Sequence, residues 1–148
     1  HERITITPGA TTLVRVMRAN GAVTALVSGG FTQFTRRVAK RTGFDYHHGN
    51  ELEVTSGILT GKVIEPIKDG EAKVELLNHY CRNLGITHEL ALAVGDGAND
   101  IPMIEAAGLG VSFHGKPRVA AAADAQILFG DLTSLLFVQG YRETEIYG

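Results

Sequence analysis

The sequence has 148 residues, 44% of them apolar and 20% charged, enough for one domain to bury a core. With 14 lysines and arginines against 16 aspartates and glutamates, its formal net charge is -2, which gives no support to a nucleic-acid partner held by a broad basic surface. No apolar run nears the roughly 18 residues of a membrane-spanning helix, no signal peptide opens the chain, and the single Cys81 excludes an internal disulfide and fits a reducing, cytoplasmic setting.

Thr7-Pro8 predicts a helix start, Leu13, Val16 and Met17 supply its apolar face, and Asn20-Gly21 ends it. Residues 22–27 predict a buried strand running into Ser28-Gly29-Gly30. The next helix is expected to turn Phe31, Phe34 and Val38 inward and Arg36, Arg37, Lys40 and Arg41 outward, stopping at Gly43. Residues 51–55 and 59–64 predict a hairpin flap turning at Ser56-Gly57-Ile58. A helix over 71–83 carries a stripe of Leu76, Leu77, Tyr80, Cys81 and Leu84, with Cys81 read as a small buried hydrophobe. Residues 90–94 form a strand ending in Gly95-Asp96-Gly97-Ala98-Asn99-Asp100, and a short helix leads through Met103, Ile104 and Ala107 to Gly108. A strand at 109–113, an alanine-rich helix at 118–123, a strand at 126–129 and a helix from 131 toward 138 complete the pattern. Such alternation specifies an α/β fold.

The glycine-aspartate turn holds the strongest chemical signal. Open α/β sheets bind ligands outside the carboxyl ends of their strands, where Asp96 would leave the strand and Asp100 enter the helix behind it. Two carboxylates there suit a hard divalent cation, held directly or through water; a helix-capping Asp/Asn/Gly turn is the alternative. Ser28-Gly29-Gly30 offers a hydroxyl and amides to a phosphate, or equally a simple helix cap. It matches neither a hydrolase nucleophile elbow nor a lysine-containing phosphate loop. A fixed positive charge is the expected third element, with Lys73 preferred over Lys68 and Lys62. His47-His48 would point in opposite directions on a strand, which disfavours a shared metal, and His79, His88 and His114 have no partner pattern. The arginine-rich face reads as solvated.

The segments Thr7-Pro8-Gly9-Ala10, Val27-Ser28-Gly29-Gly30-Phe31, Leu59-Thr60-Gly61, Ala72-Lys73, Val94-Gly95-Asp96-Gly97-Ala98-Asn99-Asp100, Ala107-Gly108-Leu109-Gly110 and Lys116-Pro117 together resemble the C-terminal part of the phosphoserine phosphatases of the haloacid dehalogenase-like superfamily. The resemblance implies a Rossmann-like parallel sheet with flanking helices. It implies that Ser28 and the amide of Gly29 bind the phosphoryl group of a small phosphorylated amino acid and that Lys73 holds that group; the alternatives are another small phosphomonoester as substrate, or a nonenzymatic phosphate- or protein-binding fragment of the same scaffold. Asp96 would ligate Mg2+, Asp100 would support the metal through its hydration shell and position Lys73, and Asn99 would arrange substrate and loop. Family chemistry proceeds through an aspartyl-phosphate, with a second aspartate two residues later as general acid.

No aspartate pair of that spacing stands anywhere in the sequence, and the usual helical cap segment is missing. Residues 1–148 therefore read as a partial, incomplete catalytic core domain, expected to be inactive alone. The chain opens on His1, so the natural N-terminus is expected upstream. In the family sheet the missing first strand is central, between those ending at Ser28 and Gly95. Its loss should split the sheet, leaving the gap to a companion chain carrying the N-terminal segment or to a homo-oligomer.

Overall fold

The computed structural model describes residues 4–64 and 69–147. In chain order the elements are α1 (Ala10–Ala19), β1 (Ala25–Phe31), α2 (Thr32–Thr42), β2 (Tyr46–Thr55), β3 (Ile58–Ile64), α3 (Gly70–Leu84), β4 (Leu92–Gly95), α4 (Ile101–Ala106), β5 (Leu109–Phe113), α5 (Pro117–Ala122), β6 (Ala125–Ile127), α6 (Ser134–Val138) and α7 (Glu143–Tyr147). Short 3-10 turns cover His88–Leu90 and Ala98–Asp100. This is the alternating strand-helix order of a Rossmann-like fold. The chain divides into two units, His1–Ile67 with Gly130–Gly148, and Lys68–Phe129.

In the first unit the sheet order is β1-β2-β3, with β1 and β2 parallel and β2 and β3 antiparallel. The flap forms as predicted. Ser56 and Gly57 hold positive φ angles of 52° and 78°, a two-residue turn whose twist suits a hairpin. Val54 and Leu59, paired across it, are both exposed. Helix α1 starts later than Thr7-Pro8 suggests because the Pro8 carbonyl accepts the Leu132 amide at 3.0 Å instead of opening the helix. Val16 packs with Leu136 and Ile146 of α6 and α7 in a small core, and Arg15 donates to the Ile146 carbonyl at 3.0 Å. Sequence reasoning missed α7.

Two other expectations in this unit are corrected. The first strand begins three residues later than predicted and continues through Ser28-Gly29-Gly30 to Phe31. The Ala22 amide is spent on the Met17 carbonyl in closing α1, while β2 offers a parallel partner as far as Phe31. On α2 the buried face is Thr35, Ala39 and Thr42, whereas Phe31 and Phe34 are exposed. Thr35 and Thr42 can be buried because their hydroxyls bond the carbonyls of Thr32 and Val38. The four basic residues of α2 face outward as expected.

The second unit is a parallel sheet, β4-β5-β6, with α4 and α5 as crossovers. Its buried residues include Ala93, Val111 and Ile127 from the strands and Ile104 and Val119 from the helices. Strand β4 starts at Leu92 because His88–Leu90 forms a 3-10 turn, leaving Leu90 exposed. Strand β6 stops at Ile127, short of the expected Phe129, because its partner β5 ends at Phe113, opposite Ile127. Helix α3 buries Cys81 but leaves Leu84, the end of its predicted stripe, exposed. Among the described residues β1, which contains Ser28-Gly29-Gly30, and β4, which leads into the glycine-aspartate turn, are both edge strands, and no helix is long and apolar enough to cross a membrane.

Candidate active site

Lys73 lies in the first turn of α3, where Asp69 caps the helix by accepting the Ala72 amide at 2.9 Å. It is only 5% exposed. A buried ammonium requires a partner, and Lys73 Nζ donates to Asp100 Oδ1 at 2.5 Å. The other carboxylate oxygen, Asp100 Oδ2, accepts the backbone amides of Asp96 and Gly97, each at 3.1 Å. One buried carboxylate thus ties the lysine to the backbone of the turn, and its three donors offset the cost of removing it from water. The tight packing explains Gly95: a Cβ there would fall onto the Asp100 side chain. Asn99 is exposed, and its Oδ1 folds to 3.0 Å from where a Cβ on Gly97 would stand.

Asp96 follows β4 directly, and its side chain is exposed, with no donor to its carboxylate among the described residues. An exposed carboxylate at the tip of β4 fits Mg2+, which takes one or two protein carboxylates and completes its shell with water and substrate oxygens. Asp100, with both oxygens engaged, suits a role through water and not direct ligation. Among the described residues no three His, Cys, Asp or Glu side chains converge into a fuller metal cage.

Ser28 and Gly29 belong to the first unit, and Lys73, Asp96, Asn99 and Asp100 to the second. Ser28-Gly29-Gly30 lies within β1, where the register with β2 shifts between Val27 and Phe31, rather than in a turn beyond the strand. Ser28 is half-buried, and its Oγ accepts the Gly30 amide at 3.0 Å. The Gly29 carbonyl accepts Asn50 Nδ2 at 2.8 Å. Asn50 is buried and was missed by sequence reasoning, which began the strand at residue 51. His47 meets Thr35, with Nδ1 2.9 Å from the hydroxyl. Lys62 is exposed on β3, and Lys68 lies outside the described residues. A separate open cleft of about 330 Å3 is lined by Asn78, Cys81, Arg82, Ile86, Thr87 and His88, none of them a motif residue.

The family profile described as haloacid dehalogenase-like hydrolase matches residues 1–105. The chain belongs to the haloacid dehalogenase-like hydrolase family. Among similar family members, the phosphoserine phosphatase of Albidiferax ferrireducens is 47% identical over 139 residues, which cover 91% of this chain and 59% of that protein. A probable phosphoserine phosphatase from Vibrio cholerae, solved in an unliganded form, superimposes with a TM-score of 0.84 at 36% identity, covering 90% of this chain and 41% of that one. A phospho-aspartyl intermediate analogue of phosphoserine phosphatase gives a TM-score of 0.84 at 40% identity, covering 92% and 65%. The chain therefore spans about three fifths of the Albidiferax relative's length.

Proposed function

We propose that the protein to which this chain belongs is a Mg2+-dependent phosphoserine phosphatase that hydrolyses O-phosphoserine to serine and phosphate. The observation that carries the reading is the arrangement around Asp100, which holds a buried lysine beside a turn whose Asp96 carboxylate has no donor among the described residues. Similarity to phosphoserine phosphatases supports the choice of substrate.

In this reading the Ser28 hydroxyl and the Gly29 amide bind phosphoryl oxygens. The Ser28 Oγ has already accepted the Gly30 amide, so its own proton is left for the substrate. Lys73 places its ammonium against the transferring group, and Asp100 sets the position of that ammonium. Asn99 arranges substrate and loop. Asp96 would hold Mg2+, with Asp100 acting through the hydration shell; the ion supplies positive charge against the phosphoryl oxygens. Reaction through an aspartyl-phosphate is supported by the phospho-aspartyl analogue of the related enzyme and divides one difficult displacement into two. With no Asp-x-Asp sequence in the 148 residues, the nucleophile and general acid would come from residues outside this chain.

The test is phosphate release from O-phosphoserine by the full-length protein, with Mg2+ and with chelator. Release that needs Mg2+ and falls at least about 100-fold in Asp96→Asn is expected. No release in the presence of Mg2+ would refute the assignment.

A further inference from the structure

The peptide joining Gly29 to Gly30 is held at both ends. Its carbonyl accepts Asn50 Nδ2 at 2.8 Å, and its N–H donates to Ser28 Oγ at 3.0 Å. A peptide between two glycines has more rotational freedom than any other, and here the register with β2 also breaks between Val27 and Phe31. The ordinary ladder is therefore weakest where the peptide is freest. Asn50 is 9% exposed, and it faces Phe31 in the parallel register. The preceding Gly49 lets the strands come close, since a Cβ there would stand 2.8 Å from the Gly30 carbonyl oxygen.

We infer that Asn50 is a positioning residue for phosphate binding: it pins the Gly29-Gly30 peptide, and through the Gly30 amide it fixes which way the Ser28 hydroxyl points. The inference rests on the role proposed above for Ser28 and Gly29. The chain of contacts runs from the Asn50 amide to the Gly29 carbonyl, across the rigid peptide plane to the Gly30 N–H, and on to Ser28 Oγ. Once that oxygen accepts the Gly30 N–H, its own O–H is left to turn toward an incoming phosphoryl oxygen. Without Asn50 the peptide can rotate, and the cost of ordering it falls on ligand binding.

The test is a double-mutant cycle in the full-length protein, with inorganic phosphate as the probe in calorimetry. Asn50→Asp keeps the shape but replaces the donor with an acceptor, and Asn50→Ala removes both. Each is expected to weaken phosphate binding about tenfold, while in a Ser28→Ala background the same changes weaken it less than about threefold. Equal losses in both backgrounds would overturn the inference, because Asn50 would then act independently of Ser28. Failure of both Asn50 variants to fold would overturn it as well, making the residue a support for the strand pair and not for the hydroxyl. Phosphate binding by the parent protein without hydrolysis of phosphoserine would refute the proposed substrate and leave the cycle readable.

Discussion

Breaking the Lys73–Asp100 pair from its two sides should cost different amounts. Both side chains are at least nine-tenths buried, and removal of one partner from such a pair costs about 3–5 kcal/mol, mostly as the penalty of an uncompensated charge. Lys73→Met leaves the Asp100 carboxylate with the amides of Asp96 and Gly97 still donating to it. The loss should therefore lie at the low end, about 3 kcal/mol. Asp100→Leu leaves a buried ammonium with neither oxygen and deprives two amides of their acceptor, so about 5 kcal/mol is expected. The double variant Lys73→Met/Asp100→Leu removes both charges and should cost about 2–3 kcal/mol less than the sum of the single changes. Urea unfolding of the full-length protein, followed by circular dichroism, reads these differences. With a slope of about 2 kcal/mol per molar, Lys73→Met lowers the midpoint by about 1.5 M. A larger loss for Lys73→Met than for Asp100→Leu, or additivity to within about 0.5 kcal/mol, would refute the reasoning.

Two further outcomes follow from single side chains. Ser112 is 1% exposed on β5, and its hydroxyl is without a hydrogen-bond partner among the described residues. Ser112→Ala should therefore leave the melting temperature unchanged or raise it, a gain of up to about 1 kcal/mol; a clear fall would show that the hydroxyl has an essential partner. For Asp45, burial pushes the carboxyl upward, but hydrogen bonds from the Thr24 amide and hydroxyl and the nearby Arg18 guanidinium outweigh it and hold the carboxyl below its ordinary value. A lowered folded-state value means the stabilisation is present above the ordinary carboxylate range, about pH 4, and is lost as pH falls through the folded value. Melting temperatures across an acid series should decline less steeply below about pH 4 in Asp45→Asn than in the parent, and parallel curves would contradict this account.

The order of elements was legible in the sequence because each was specified by local chemistry. Asn20-Gly21 and Gly43 stopped helices, Ser56-Gly57 turned a hairpin, and a short apolar run marked β5 at residues 109–113. The turn from Gly95 to Asp100 could also be read as a candidate site, since closely spaced carboxylates at a strand tip stand out from ordinary patterning. Where local and long-range terms competed, the partner strand decided. β1 runs through Ser28-Gly29-Gly30 because β2 lies beside it, and β6 ends at Ile127 because β5 has ended.

The resemblance already set Asp100 beside Lys73, but tertiary structure fixed the atoms through which they meet and brought Asn50 to Gly29. Lys73 and Asp100 are 27 residues apart and Gly29 and Asn50 are 21 apart, and local sequence by itself leaves a lysine or an asparagine as able to face water as to face a partner. Folding removes that water, and a buried ammonium, carboxylate or amide must then find a partner or incur its full desolvation cost. Local chemistry along the chain set the alternation of strands and helices and the chemical character of the turn. Packing decided which atoms of Lys73, Asp100, Gly29 and Asn50 are in contact, because those pairings are set by burial.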